Sequence, residues 1–256
     1  MLRAITHKVS PRIADCELTF VERAPIDYEL ASRQHEAYET KLSELGVTVT
    51  GLSENEIYPD CSFVEDTAIV LDEIAVICSM GVASRRGETA LIARELSNYR
   101  ELAFISLPAM VEGGDVLRVG RRILVGISSR TNREGIDELT RIVAPHGYEV
   151  IALSTKESLH LKSACTAIDD ETLFRNPNWI EIDALRGFRL LATPANEPES
   201  ANVLRLGSTV CVQAGFPGAV ELIGKIAQRV ETIDMSELRK AEAGLTCCSV
   251  VFESTF

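Results

Sequence analysis

The feature that most constrains this chain is a rhythm of short apolar runs of β type that come in pairs. Two or three turn-forming residues join each pair, as in hairpins. Thr67–Leu71 faces Ile74–Cys78 across Asp72 and Glu73, and Val116–Val119 faces Ile123–Ile127 across Gly120, Arg121 and Arg122. Cys165–Ile168 with Thr172–Phe174 makes a weaker pair, Val203–Leu206 faces Thr209–Val212 across Gly207 and Ser208, and a lone run, Ser249–Phe252, follows. The residues that open the first strand of each unit are Phe63, Val111, Leu159, Ala201 and Leu245, which stand 48, 48, 42 and 44 residues apart. A near-constant period of about 40 to 50 residues marks a repeat architecture.

Helical spacing fills the intervals. Ala31, His35, Tyr38, Leu42 and Leu45 alternate steps of four and three. Ile136, Leu139, Ile142 and Val143 make one further stripe and Ala219, Ile223, Ile226 and Val230 another, while Glu88 to Tyr99 also reads as a helix. Five units are complete if the helix near residues 31 to 45 belongs with the final strand, which closes a ring with the two ends of the chain together. No linker or composition shift divides residues 1–256, so a single domain is expected.

Charge narrows the partners. Lys and Arg total 26 against 38 Asp and Glu, a formal charge of −12, which argues against nucleic acid or an anionic membrane. The seven cysteines are odd in number and scattered through apolar stretches, as in a reducing compartment. With no CxxC, a zinc finger or ribbon is not expected. The first residues lack a signal peptide's apolar core, and no run approaches the roughly 20 apolar residues that span a bilayer. A cytoplasmic protein is the expectation.

Chemically capable residues recur where the repeats open. Phe63 leads into Glu65 and Asp66, Val111 into Glu112, Leu159 into His160, Ala201 into Asn202, and Leu245 into Cys247. In a closed ring these six positions converge on one pocket. A thiol, an imidazole and several carboxylates together suit nucleophilic catalysis. The anionic surroundings favour a cationic electrophile, and a guanidinium is the planar cation that carboxylates grip bidentately.

The motifs Asp60-Cys-Ser-Phe-Val-Glu-Asp66, Ser84-Arg-Arg86, Val111-Glu-Gly-Gly-Asp115, Arg130-Thr-Asn132, His160-Leu-Lys-Ser163, Glu199-Ser-Ala-Asn202 and Gly244-Leu-Thr-Cys-Cys-Ser249 resemble those of the dimethylarginine dimethylaminohydrolases, members of the guanidine-modifying, or pentein, superfamily. The resemblance runs from about Asp60 onward and takes in Arg33-Gln-His-Glu36. It implies an α/β fold, a five-bladed ββαβ propeller with pseudo-fivefold symmetry. It also implies hydrolysis of an Nω-methylated arginine to citrulline and a methylamine through a covalent thiouronium, with no metal or organic cofactor. By the same resemblance, Cys247 is the nucleophile, His160 the acid and base, and Asp66 and Glu112 hold the guanidinium with Glu65 beside them. Glu112 counts with Cys247 and His160 as catalytic. Asp60 receives the α-ammonium, Arg85 and Arg130 take the α-carboxylate, and Leu18 belongs to a lid.

Other readings stay open. An arginine deiminase, an amidinotransferase or an amidinohydrolase of another substituted arginine uses related chemistry, a propeller without catalysis would bind protein, and a Cys247/Cys248 pair would serve as a thiol redox sensor. Cys248 is expected to pack on the strand face opposite Cys247, His35 to be a satisfied core or interface residue, His7 and His146 to lie at the surface, and Arg86 to be a solvated charge. Neither GxGxxG, GxxxxGK[ST] nor GxSxG occurs, so nucleotide-binding and serine-hydrolase readings have no support. The oligomeric state is open, a homodimer included.

Overall fold

The computed structural model describes residues 1–254. Its strands are β1 (Leu2–His7), β2 (Thr48–Leu52), β3 (Ala68–Val70), β4 (Ile74–Ile77), β5 (Glu101–Phe104), β6 (Val116–Val119), β7 (Arg122–Ile127), β8 (Glu149–Ser154), β9 (Cys165–Ala167), β10 (Thr172–Arg175), β11 (Arg189–Ala192), β12 (Leu204–Leu206), β13 (Thr209–Gln213), β14 (Arg229–Ile233) and β15 (Val250–Glu253). The helices are α1 (Tyr28–Glu44), α2 (Thr89–Leu96), α3 (Arg133–Val143), the single turn α4 (Leu161–Ala164) and α5 (Pro217–Gly224).

The strands form five sheets of one design: β3-β4-β5, β6-β7-β8, β9-β10-β11, β12-β13-β14 and β15-β1-β2. In each, the first two strands are antiparallel, and the third returns parallel to the second after a crossover. The fold is thus a five-bladed ββαβ propeller. The last blade is shared by the two ends of the chain, since β15 supplies its inner strand while β1, α1 and β2 complete it. The Met1 amine also donates to the Ser254 carbonyl at 2.7 Å.

Local chemistry accounts for the elements. The middle strands β4, β10 and β13 are buried along their whole length, and strands covered on both faces read as continuous apolar runs. Gly120 and Gly207 sit in two-residue turns at φ +61° and +60°, a backbone that suits hairpins and disfavours larger side chains. Asp27 caps α1 by accepting from the Leu30 amide, and Asn132 caps α3 by accepting from Gly135. Apolar side chains fill the wedges between blades, as Ile69, Val76, Val116 and Val125 do between the first two sheets.

Several expectations need correction. The outer strands β2, β5, β8, β11 and β14 were invisible because they are half-exposed and mix polar with apolar residues. The α5 stripe stops at Gly224, and Val230 lies in β14 rather than on the helix. Arg122 pairs with Val119, so the second hairpin turns on Gly120 and Arg121 alone. The third blade crosses over through a short 3-10 turn, Ile182–Leu185, in place of a helix. Among the described residues no helix is long and apolar enough to cross a membrane.

Candidate active site

The inner strands do not begin at the repeat openings. A single helical turn precedes each one: Val64–Thr67, Gly113–Asp115, Leu161–Ala164, Pro198–Ala201 and Thr246–Cys248. The fourth turn precedes Asn202, where the others carry or follow their functional residue. Neighbouring turns touch around the axis, and Asn202 closes the circle: its Oδ1 accepts from the Thr246 amide at 3.1 Å and its Nδ2 donates to Thr246 Oγ1 at 3.0 Å. The six expected residues therefore share one end of the ring, on turns rather than on strands. A Cβ at Gly114 would approach Asp66 Oδ1 to 2.6 Å and His160 Nδ1 to 2.7 Å, so only glycine admits this packing.

His160 is the centre of the array. It is buried, its Nε2 lies 2.8 Å from Glu112 Oε2, and its Nδ1 lies 3.7 Å from Asp66 Oδ1. Burial alone would lower its pKa. The charges of Asp66, Glu112 and Asp115 outweigh burial and raise it to about 9, so at neutral pH the ring is an imidazolium.

The two carboxylates are themselves fixed. Glu112 is fully buried, and its Oε1 accepts from the Gly81 amide at 2.9 Å and faces Arg130 Nη1 at 3.6 Å. Asp66 accepts from the Gly114 amide at 3.1 Å and from Arg85 Nη1 at 2.7 Å. Burial opposes its ionisation, but His160 and Arg85 hold its pKa below the ordinary value. Asp66, Glu112 and His160 present ligand atoms within 4.8 Å of one another. They form a cradle for a cation, a metal or a guanidinium, with His160 free to ligate a metal only when deprotonated.

Cys247 is half-buried, and its Sγ accepts from the Gly244 amide at 3.3 Å. Burial pushes its thiol pKa strongly up, Glu65 and Asp66 push it further, and the Gly244 amide and Lys162 work against them. A thiol in this state is protonated at neutral pH. Cys248 is fully buried in the core, as expected, though on the same helical turn as Cys247 and not across a strand.

The other expected residues fall into two groups. Asp60 is buried, with both oxygens facing the Glu17 amide at 3.2 and 3.3 Å. Burial raises its pKa while Arg85 pulls the other way. Leu18 follows Glu17 in the chain and packs against the core, while Arg130 lies close enough to Asp60 for its charge to oppose the rise. Arg85 and Glu65 also hold partners within the chain. Arg85 is buried and spends its nitrogens on Asp66, on Glu88 (2.9 Å) and on the Phe63 carbonyl (3.1 Å). Glu65 is gripped by Lys162 Nζ and Thr246 Oγ1, each at 2.6 Å, and lines the axial channel.

Sequence reasoning gave no role to Lys162, Asp115, Thr246 or Glu88. Asp115 accepts from the Leu161 amide at 2.9 Å and from Ser128 Oγ at 2.6 Å, which seats the turn carrying His160. All four but Glu88 lie inside the recurring motifs, and the repeat position itself was the signal for them. Among the histidines, His7 is buried and not at the surface, and His35 is buried with an Nε2 that has no hydrogen-bond partner.

Comparison with known proteins gives the same picture. A family profile described as "N,N dimethylarginine dimethylhydrolase, eukaryotic" matches residues 19–174. The N(G),N(G)-dimethylarginine dimethylaminohydrolase of Streptomyces coelicolor is 34% identical over 250 residues, 97% of this chain and 96% of the relative. A cysteine-to-serine mutant of the Pseudomonas aeruginosa enzyme complexed with citrulline superposes with a TM-score of 0.94 at 30% identity, covering 98% of each chain. The dimethylarginine dimethylaminohydrolase adduct of a histidine-to-glycine variant with S-methyl-L-thiocitrulline superposes with a TM-score of 0.93, also at 30% identity, covering 98% of this chain and 99% of that one. A half-buried thiol on a turn packed against the turn of Asp66 thus stands on a scaffold matched along nearly its whole length, and the chain belongs to the dimethylarginine dimethylaminohydrolase family.

Proposed function

We propose that this protein hydrolyses Nω-methylated arginine to citrulline and dimethylamine or methylamine, with Cys247 as nucleophile and His160 as proton carrier. The observation that carries the reading is the buried cradle of Asp66, Glu112 and His160, with Cys247 on the helical turn that packs against the turn of Asp66. A guanidinium bound to Asp66 and Glu112 lowers the thiol pKa, and the thiol proton passes to solvent. The thiolate adds to the guanidinium carbon, and the His160 imidazolium donates its proton to the methylated nitrogen, which leaves as the amine. A thiouronium on Cys247 and a neutral His160 remain. His160 then takes a proton from water as the oxygen attacks the same carbon. Collapse expels the sulfur, which recovers the hydroxyl proton, and citrulline departs.

In this reading Asp60 meets the α-ammonium, Arg130 the α-carboxylate, and Leu18 covers the chain between them. Arg85 acts through Asp66, and Glu65 through Lys162 at the floor of the site. The five repeats work as one domain in a cytoplasmic setting, without nucleic acid, membrane or cofactor, and a homodimer is compatible with it.

The test incubates the protein with asymmetric dimethylarginine, monomethylarginine and arginine, and assays citrulline together with dimethylamine, methylamine and ammonia. Citrulline with the matching methylamine is expected. No citrulline from any of the three would overturn the reading, and citrulline with ammonia from arginine alone would move it to a deiminase.

A further inference from the structure

Residues 16–25 run between Asp60 and Glu242, beside a cleft that Asn202 and Gly244 also line, without regular secondary structure. The strap buries little: Phe20 and Val21 are 55% and 40% exposed, and Leu18 alone of these three packs on the core. Two carboxylates take its backbone amides, and Ser84 on Glu17 and Lys240 on the Pro25 carbonyl tie its ends. On one side Asp60 takes the Glu17 amide. On the other, Glu242 takes three successive amides, those of Thr19 (2.9 Å), Phe20 and Val21 (2.7 Å). Three N–H groups converging on one carboxylate form an anion-binding concavity.

Glu242 occupies an unusual place to do this. It follows the turn Leu238–Ala241 at φ +58°, in the left-handed region that glycine normally fills at such a position. A glutamate there is strained, and such strain concentrates where a particular side chain is needed. Glu242 also lines a cleft of about 200 Å³ with Phe20, Val21, Asn202 and Gly244. Gly244 is the residue whose amide reaches Cys247 Sγ.

We infer that Glu242 is a positioning residue, a clasp that keeps the strap shut over substrate. The inference rests on the proposed reaction in one respect. An α-ammonium arriving at Asp60 displaces the Glu17 amide from that carboxylate, which leaves Glu242 as the backbone anchor of the strap's middle while chemistry proceeds, between the Ser84–Glu17 and Lys240–Pro25 contacts toward its ends. The clasp and the nucleophile lie five residues apart on one loop, so closure is registered directly against Cys247.

The experiment compares wild type with Glu242→Gly and Glu242→Gln. It reads hydrogen–deuterium exchange of the peptide spanning residues 17–23, thermal midpoint, and kcat and KM for asymmetric dimethylarginine. Glycine suits the backbone, so Glu242→Gly keeps or raises the thermal midpoint while deleting the clasp. Exchange at residues 19–21 is expected to accelerate at least about tenfold. KM is expected to rise by a similar factor with kcat within about threefold, the scale of one charge-assisted hydrogen bond. Glu242→Gln, which keeps an acceptor oxygen, should fall between. Wild-type exchange in Glu242→Gly, or an unchanged KM with a lowered kcat, overturns the inference. If wild type turned over no methylated arginine, the reaction assignment would fail, while the exchange measurement would still decide whether the clasp exists.

Discussion

His160 Nε2 and Glu112 Oε2 lie 2.8 Å apart, and neither side chain is more than 4% exposed. The proton between them is therefore held by charge that solvent does not screen. Replacing Glu112 by Gln keeps the shape and removes that charge, so the His160 pKa should fall from about 9 toward the ordinary value near 6.5, and the alkaline limb of kcat, set by loss of the His160 acid, should move down with it. NMR titration of the ring and a pH–rate profile check this. The stability sign follows: because the folded pKa is raised, the pair stabilises the fold fully below about pH 6.5 and loses that contribution as pH rises through about 9.

Cys247 should be a sluggish thiol in the free protein. Burial and the charges of Glu65 and Asp66 hold its pKa well above the ordinary value, so alkylation by iodoacetamide is expected to keep accelerating up to pH 9. A rate that levels off by pH 7 would contradict the cation-activated scheme. Cys247→Ser should eliminate turnover with little loss of stability, whereas Cys248→Ala should retain turnover and cost about 1 kcal/mol of packing.

Lys162 and Glu65 form an ion pair whose side chains are 15% and 10% exposed. Removing one partner of a buried pair strands the other and typically costs about 3–5 kcal/mol. Lys162→Met should therefore destabilise the protein by that order in urea unfolding at neutral pH. Adding Glu65→Gln should recover most of the loss, because no uncompensated charge is then left. Equal destabilisation in the single and double variants would show that the pair contributes shape alone.

His35 offers a test outside the site. Burial drives its pKa down to about 4, with His7 adding to the effect, and its Nε2 has no partner. A histidine buried in its neutral form contributes its full share above about pH 6.5 and withdraws it as pH falls toward 4. The thermal midpoint should drop across that interval, and His35→Leu should flatten the drop without touching turnover.

Much of this arrangement was legible in the chain itself. Middle strands such as Ile74–Ile77 and Thr209–Gln213 are buried on both faces and so declare themselves as unbroken apolar runs, and each pairs with an inner strand across a tight turn. The recurring position of Asp66, Glu112, His160, Asn202 and Cys247 follows from the same repeat. The partners of each charge were not legible. That Lys162 reaches Glu65 and Glu88 reaches Arg85 depends on three-dimensional neighbours that residue type and motif do not carry. The outer strands and the Ile182–Leu185 crossover escaped because half-exposed segments carry little periodic signal.

The sharing of one blade between the two ends of the chain also has a meaning in time. β1 can complete its sheet only when β15 docks beside it, a pairing between residues some 250 positions apart, and contacts of such separation are the slowest to form. The four blades with local connectivity can assemble first. The closing blade brings Cys247, Glu242 and the strap to the site in one late step, so the nucleophile meets its acid–base partner only once the ring has become whole.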